Sequence, residues 1–214
     1  MNPDFAIVLN FNLNDAKNVD IDSLVKKARD IGVRAISANS DFQEACDKYT
    51  IKLVDEPEGE NLTTDNVIDT MVENRKNGKK TIINLNLEDG DISASDEEML
   101  ERINSWMHMF GHAFNESTAS KLTVDQDGFI LENRHANYQK YIFLKNPLLE
   151  KITVEGLEEE PNRVEWIENR VDLKFSYKDK KVEIELTKID DEFDWEVVRI
   201  QAHRPEDDIL ETKF

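Results

Sequence analysis

The hydrophobic period of this chain changes near Ser117, and this change limits the folds that it can adopt. Before Ser117, apolar residues with a period near 3.6 alternate with short apolar runs, as in helices that alternate with buried strands. After Ser117, apolar and polar residues alternate along short runs separated by turns, as in antiparallel strands. We therefore predict an α/β domain over residues 1–116 and an antiparallel β-sandwich over residues 117–214.

The first domain is predicted to contain a mainly parallel sheet of three or four strands. The run Phe5-Ala6-Ile7-Val8-Leu9 is apolar throughout, which is typical of a strand buried on both faces. Asp20 or Asp22 can cap the helix that follows, and Ser95 is predicted to cap the last helix of the domain. The remaining predicted strands cover 33–37, 51–54 and 81–85, and the helices cover 41–49, 64–77 and 95–110.

The second domain is predicted to have roughly six to eight strands, from the strand spacing of such folds. Asp127-Gly128 and Lys178-Asp179-Lys180 are typical of hairpin connections. The clearest strand runs are Phe129-Ile130-Leu131, Tyr138 to Leu144, Ile152-Thr153-Val154, Val171 to Tyr177, Val182 to Leu186 and Trp195 to Ile200.

Composition excludes several classes of partner. The chain has 214 residues, 39% of them hydrophobic, which suits a soluble globular protein. Its net charge of -19 repels nucleic-acid phosphates and anionic lipids, so we predict neither a nucleic-acid nor a membrane partner. The single cysteine, Cys46, cannot form an internal disulfide and fits a buried helical position. Without an export signal at Met1-Asn2-Pro3-Asp4, we expect a cytoplasmic location.

The stretch from Thr63 to Glu116 has the order of a helix, a strand, a loop and a second helix. Its parts are the turn Asn77-Gly78, the strand Thr81-Ile82-Ile83-Asn84-Leu85, the loop Asp89-Gly90, the helix Ser95 to Trp106 and the exit Gly111-His112-Ala113-Phe114. This order and spacing resemble the last βα unit of the catalytic barrel in the alpha-L-fucosidase family. That unit has a Leu-Leu-Leu-Asn strand, an Asp-Gly loop and a capped helix with a tryptophan.

Two further segments extend the resemblance. Val19 to Ala38 is similar to an early helix–strand step of the family's barrel, and the chain from Ser120 onward resembles the small antiparallel β domain that follows the barrel. Closing an eightfold βα barrel takes about 250 residues, more than residues 1–116 can supply. The resemblance therefore implies a shortened relative, with a reduced, incomplete barrel that lacks its middle.

The missing middle is where the family places its chemistry. A retaining glycosidase needs two carboxylates about 5 Å apart, one as nucleophile and one as acid/base. The resemblance places the nucleophilic aspartate on a Trp/Phe-hydrophobic-Asp-Gly strand, which this sequence lacks. The family's paired histidines are replaced in the aligned loop Ser37-Ala38-Asn39-Ser40-Asp41-Phe42. We therefore predict no catalytic residue.

Other chemistry is not indicated either. His108 and His112 are four residues apart on a helix, but Met109 follows His108, so the His-Glu-x-x-His zinc motif is not present. The segment Asp125-Gln126-Asp127-Gly128 lacks the glutamate that would close a calcium loop, and Ala136 occupies that position. We predict no metal and no cofactor.

Polar residues follow the predicted parallel strands, where ligands bind in such sheets. Asparagine both donates and accepts hydrogen bonds, as sugar hydroxyls require. Ordinary turn chemistry is the alternative explanation, and the more common one. Within this polar set, which also includes Asn10 and Asn84, the candidate ligand-binding residues are Asn12, Asn14, Asn39, Asp41, Asn86 and Asp89.

Three hypotheses follow from these patterns. The first is a catalytically inactive, shortened fucosidase-like protein with a structural or binding role and a carbohydrate partner. The second is a glycoside hydrolase whose site is rebuilt from Asp15, Asp41 or Asp89. The third is a protein-interaction module whose open sheet is covered by a second copy or another protein, because uncovered sheet edges favour association.

Overall fold

A computed structural model of the chain describes residues 6–11, 19–56, 58–187 and 193–202. The chain divides into two compact units, Met1–Asn115 and Glu116–Phe214. Each unit has its own sheets.

The first unit is built on a parallel four-stranded sheet. Its strands are β1 (Ile7–Phe11), β2 (Ala35–Ser37), β3 (Lys52–Val54) and β4 (Thr81–Leu85). They lie in the order β3-β2-β1-β4, so the first strand of the chain pairs with both the second and the last. The predicted reduced, mainly parallel sheet is confirmed.

The helices of this unit contact one another in the order α2-α1-α4-α3. Their bounds are α1 (Ile21–Asp30), α2 (Gln43–Tyr49), α3 (Val67–Lys76) and α4 (Ala94–Asn115), and a 3-10 turn at Ser40–Phe42 precedes α2. Helix α1 contacts α2, and α3 contacts α4. An ion pair between Lys27 and Glu97 joins α1 to α4. Val25, Ile83 and Trp106, from α1, β4 and α4, are fully buried.

None of the helices in the described ranges is long and apolar enough to cross a membrane.

Local sequence signals set the helix starts. Asp20 caps α1 by accepting a hydrogen bond from the Ser23 amide at 3.1 Å, as predicted. Helix α4 begins at Ala94, and the Asp96 amide donates to Ser93 Oγ at 3.3 Å. The prediction that Ser95 caps this helix is therefore wrong, because the helix starts before it and Ser93 Oγ accepts the hydrogen bond from the Asp96 amide in the first turn.

A short hairpin separates β4 from α4. Its strands are β5 (Leu87–Glu88) and β6 (Asp91–Ile92). The two turn residues, Asp89 and Gly90, both have positive φ, at 51° and 95°. This conformation is the one that favours Asp-Gly in two-residue hairpins.

The second unit consists of two antiparallel sheets. The five-stranded sheet has the order β12-β15-β10-β9-β7, and the four-stranded sheet has the order β13-β14-β11-β8. The strands are β7 (Ser117–Ala119), β8 (Thr123–Val124), β9 (Gly128–Asn133), β10 (Gln139–Lys145), β11 (Lys151–Glu155), β12 (Arg163–Trp166), β13 (Phe175–Lys178), β14 (Lys181–Glu185) and β15 (Trp195–Gln201). The predicted antiparallel sandwich is confirmed, with more strands among the described residues than the sequence indicated.

One hydrophobic core joins the two sheets of this unit. Ile142 and Val198 come from the larger sheet, and Ile152 and Ile184 come from the smaller one; all four are fully buried. Trp166 also lies in this core, and its indole N–H donates to Thr187 Oγ1 at 3.0 Å. The apolar residues of the alternating pattern thus face the inside of the sandwich, as predicted.

Candidate functional site

The two faces of the parallel sheet differ in what they contact. Asn74 of α3 donates from Nδ2 to Thr81 Oγ1 at 3.1 Å, so Thr81 points toward the helices. Successive side chains on a strand point to opposite faces, so Ile82 and Asn84 point away from α3. We call the face that carries Ile82 and Asn84 the inner face.

Three polar side chains form a row across the inner face near the carboxyl ends of the strands. The register pairs Asn10 of β1 with Ser37 of β2 on one side and with Asn84 of β4 on the other. Asn10 Nδ2 donates to Asn84 Oδ1 at 2.8 Å. Asn10 and Ser37 are only 7% and 4% exposed. We call Ser37, Asn10 and Asn84 the polar row.

A segment after β3 crosses the polar row. We call residues 56 and 58–61 the strap. At one end, Ser37 Oγ donates to the Glu56 carbonyl at 2.9 Å and accepts from the Glu56 amide at 3.1 Å. At the other end, Asn84 Nδ2 donates to the Gly59 carbonyl at 2.8 Å and to Asn61 Oδ1 at 3.0 Å. The strap thus uses the donors that Asn84 and Ser37 present.

The strap also extends the sheet beyond β4. The Glu60 amide donates to the Ile82 carbonyl at 2.8 Å, and the Asn84 amide donates to the Glu60 carbonyl at 2.9 Å. Glu60 and Ile83 therefore form a parallel bridge next to β4. Lys80, immediately before β4, forms an ion pair with Glu56 at the other end of the strap.

Gly59 allows the strap to lie close to β4. A Cβ atom at this position would lie 2.4 Å from Asn84 Oδ1 and 3.0 Å from the Ile82 carbonyl oxygen. Such distances are too short for non-bonded heavy atoms, so any other residue here would displace either the strap or the Asn84 side chain.

The residues predicted to bind a ligand after β2 occupy a helix start. Asn39 Oδ1 accepts a hydrogen bond from the Asp41 amide at 3.1 Å and caps the 3-10 turn. Both side chains are exposed. The structure therefore brings Asn39 and Asp41 together, in the turn chemistry that was the alternative explanation.

The residues predicted after β4 lie in two different local structures. Asn86 donates from its amide and from Nδ2 to Asp96 Oδ2, at 2.7 and 3.0 Å. Asp96 is only 5% exposed, so Asn86 satisfies a buried carboxylate. Asp89 occupies the hairpin turn described above. Asn12 and Asn14, predicted after β1, and Asp15 of the hydrolase hypothesis lie outside the described residues.

The polar row was only partly anticipated from the sequence. Asn10 and Asn84 appeared in the polar set, but Ser37 and the strap did not enter the predicted site. The available signal was the asparagine inside each of two apolar strands, since asparagine is depleted in strands. Nothing in the sequence alone placed residues 58–61 against that row, because their contacts are long-range.

Three carboxylates at this edge have hydrogen-bond or ion-pair partners. Glu56 pairs with Lys80, Glu60 accepts from Asn74 at 3.3 Å, and Asp96 accepts from Asn86. In the described part of the chain, no group of three or more His, Cys, Asp or Glu side chains could hold a metal ion. Burial raises the pKa of the Cys46 thiol to about 11, so this cysteine is not a thiolate at neutral pH.

Comparison with known proteins gives structural neighbours only. Neither a protein-family model nor a curated protein sequence matches this chain. Among solved structures, an alpha-L-fucosidase from Bacteroides thetaiotaomicron is similar with a TM-score of 0.55 and 14% identity, over 78% of this chain and 36% of the enzyme. The Thermotoga maritima alpha-fucosidase in complex with fucose is similar with a TM-score of 0.51 and 19% identity, over 78% of this chain and 39% of the enzyme.

A third neighbour covers more of the chain. A bacterial fucosidase with a monovalent iminocyclitol inhibitor has a TM-score of 0.54 and 13% identity, over 90% of this chain and 42% of the enzyme. The chain therefore spans about two fifths of the length of these fucosidases. The predicted resemblance is confirmed for the fold: the chain has the fold of a shortened alpha-L-fucosidase.

Proposed function

We propose that this protein is a non-catalytic, carbohydrate-related binding or structural protein built on a shortened fucosidase fold. One observation supports the proposal most directly. The carboxyl edge of the sheet, where βα barrels carry their active sites, is crossed by the strap. Asn10 and Asn84 of the polar row bond to each other, and Ser37 and Asn84 bond to the strap.

The positions of the acidic residues support the non-catalytic part of the proposal. Glycoside hydrolysis of the retaining type needs one carboxylate free to attack and a second to donate a proton. Glu56 is held by Lys80, and Asp96 is buried against Asn86. In the alternative of a rebuilt hydrolase, Asp41 would act from an exposed turn and Asp89 from a hairpin tip. No contact of these two residues favours that alternative.

Hydrolysis assays test the proposal. We expect no release of 4-nitrophenol from 4-nitrophenyl α-L-fucoside or from a panel of other nitrophenyl glycosides. A bacterial alpha-L-fucosidase serves as the positive control. Turnover that is lost in Asp41→Asn or Asp89→Asn, but kept in the exposed-surface variant Glu158→Gln, would overturn the proposal in favour of the rebuilt hydrolase.

A second candidate function is protein interaction through the β3 edge. β3 is the outermost strand on its side of the described sheet, and Leu53 and Val54 are half-buried there. An open edge with apolar residues invites a second copy or another protein to pair with it. Light scattering tests self-association: a mass that rises with concentration in the wild type and not in Leu53→Lys supports it, and a constant monomer mass contradicts it.

The cytoplasmic location stays a prediction from the sequence.

A further inference from the structure

The strap makes the contacts that a polyhydroxylated ligand would make. It supplies the amide and carbonyl of Glu56, the carbonyl of Gly59 and the side-chain oxygen of Asn61 to the polar row. Three of these groups accept and one donates a hydrogen bond. A hydroxyl group both donates and accepts, so the hydroxyls of a sugar can replace these four contacts to the side chains of Ser37 and Asn84.

The attachment of the strap is polar rather than apolar. Its described residues are Glu56, Glu58, Gly59, Glu60 and Asn61, none of which buries a hydrophobic side chain. The side chains of Glu58, Glu60 and Asn61 are exposed, although Asn61 still accepts from Asn84 and Glu60 from Asn74. Hydrogen bonds and a partly exposed ion pair each contribute modestly to stability. Segments with few buried apolar contacts open locally at a lower free energy than the core.

We propose that the strap is a built-in competitor: it closes the polar row in the ground state, and a polyhydroxylated ring such as a sugar binds the row only when the strap moves away. This inference rests on the proposed carbohydrate-related role and adds a regulatory element to it. When the competent state is a minor one, the apparent affinity is reduced by the fraction of molecules that are open. A change that opens the strap therefore raises the affinity without adding a contact.

Gly59→Ala is the direct test. The added Cβ collides with Asn84 Oδ1 and with the Ile82 carbonyl, and the Asn84 side chain is held in place by Asn10. Amide hydrogen exchange by NMR at Glu56, Glu60 and Asn84 measures the opening. An NMR titration with L-fucose measures the affinity. We expect faster exchange at these amides and a Kd about tenfold lower than that of the wild type, as for an open state populated at about one tenth.

Three further variants make the test specific. Gly111→Ala is the matched control, because Gly111 lies on α4 outside the strap, its φ is not in the left-handed region, and its added Cβ would meet only the flexible Met107 side chain, with Cε the nearest atom at 3.2 Å. It should leave the exchange of the strap amides and the Kd for L-fucose unchanged. Lys80→Met loosens the strap without adding an atom to it, and provides an independent test if Gly59→Ala does not fold. Asn10→Ala in the Gly59→Ala background should abolish the gain in affinity.

The outcomes separate this inference from the proposed function. Faster exchange together with tighter L-fucose binding in Gly59→Ala or Lys80→Met supports the competitor role. Faster exchange with unchanged affinity overturns it, and so does unchanged exchange in both variants. Turnover of nitrophenyl glycosides bears on the proposed function alone, because it is measured on the wild-type protein and requires no opening of the strap by mutation.

Discussion

Glu165, on β12, is a fully buried carboxylate with three arginine partners. Arg163 and Arg170 each lie 2.9 Å from it, and Arg199 pairs with it from the neighbouring strand β15. The three guanidinium groups range from 18% to 56% exposed, whereas the Glu165 side chain is 0% exposed. Removal of this one carboxylate therefore takes the acidic partner from Arg170 and from the largely buried Arg199, whereas Arg163 keeps its pair with Asp172 at 2.7 Å.

We predict that Glu165→Ala lowers the free energy of unfolding by about 3 kcal/mol, at the lower end of the range for a broken buried ion pair. Urea denaturation measures it. Glu183→Ala is the matched control, since its pair with Lys151 at 2.7 Å is half exposed and should contribute less than about 1 kcal/mol. Equal losses in the two variants would contradict the prediction.

Cys46 offers a probe of the first unit, because it is the single cysteine of the chain and is fully buried on α2. Burial raises the pKa of its thiol from 9.0 to about 11. We predict that Ellman's reagent modifies it at pH 8 only as fast as the protein opens, and at once in 6 M urea. Immediate reaction of the native protein would contradict this.

The same raised pKa predicts a pH dependence. The folded state holds the thiol proton more tightly than the unfolded state, so this contribution to stability is fully present below pH 9 and is lost as the pH rises toward 11. Urea midpoints measured between pH 8 and 11 should fall more steeply for the wild type than for Cys46→Ala. Parallel curves for the two proteins would contradict the prediction.

At the scale of single elements, the start of α4 distinguishes the predicted cap from the observed one. Ser93 accepts from the Asp96 amide, whereas Ser95 lies within the first turn of the helix. We predict that Ser93→Ala destabilises the protein by about 1 kcal/mol, the usual loss for an N-cap. Ser95→Ala should change stability by less than about 0.5 kcal/mol. Urea midpoints compare the two, and a larger loss in Ser95→Ala would contradict the assignment.

Elements with a local signal were predictable from the sequence, and elements held by distant partners were not. The helix that starts after Asp20 has a cap and an apolar period, and it appears as α1. Strand β12 contains Glu165 and Arg163 and has no clear alternation of apolar and polar residues, so the sequence did not predict it. It forms a strand because its backbone pairs with β15. The predicted strand from Val171 begins only at Phe175, because residues 171–173 instead bond back to β12 through the Val171 and Leu173 backbones.

At the scale of the whole molecule, the sequence predicted the two kinds of architecture but not the strap that binds the carboxyl end of the shortened sheet. Alternating strands and helices indicated a parallel sheet, and the change of period indicated the sandwich. The strap was not predictable, since its bonds to Ser37 and Asn84 join residues 19 to 25 positions apart and depend on the register of three strands. The candidate site therefore emerged from tertiary contacts, although two of its asparagines were visible in the sequence.

The net charge of the whole chain determines how salt affects its stability. Exposed ion pairs such as Lys48–Asp22 and Lys181–Glu155 are weakened by salt, but the -19 net charge also produces repulsion among acidic groups that salt screens. Each exposed pair contributes less than about 1 kcal/mol, so we expect relief of repulsion to win. We predict that raising NaCl from 10 to 300 mM increases the Tm by about 2–4 °C, the shift that 1 kcal/mol produces in a domain of this size.

The control is the same titration near the sequence pI of 4.6, where the net charge vanishes and the increase should disappear. A Tm that falls with salt at neutral pH would show that the surface ion pairs outweigh the repulsion.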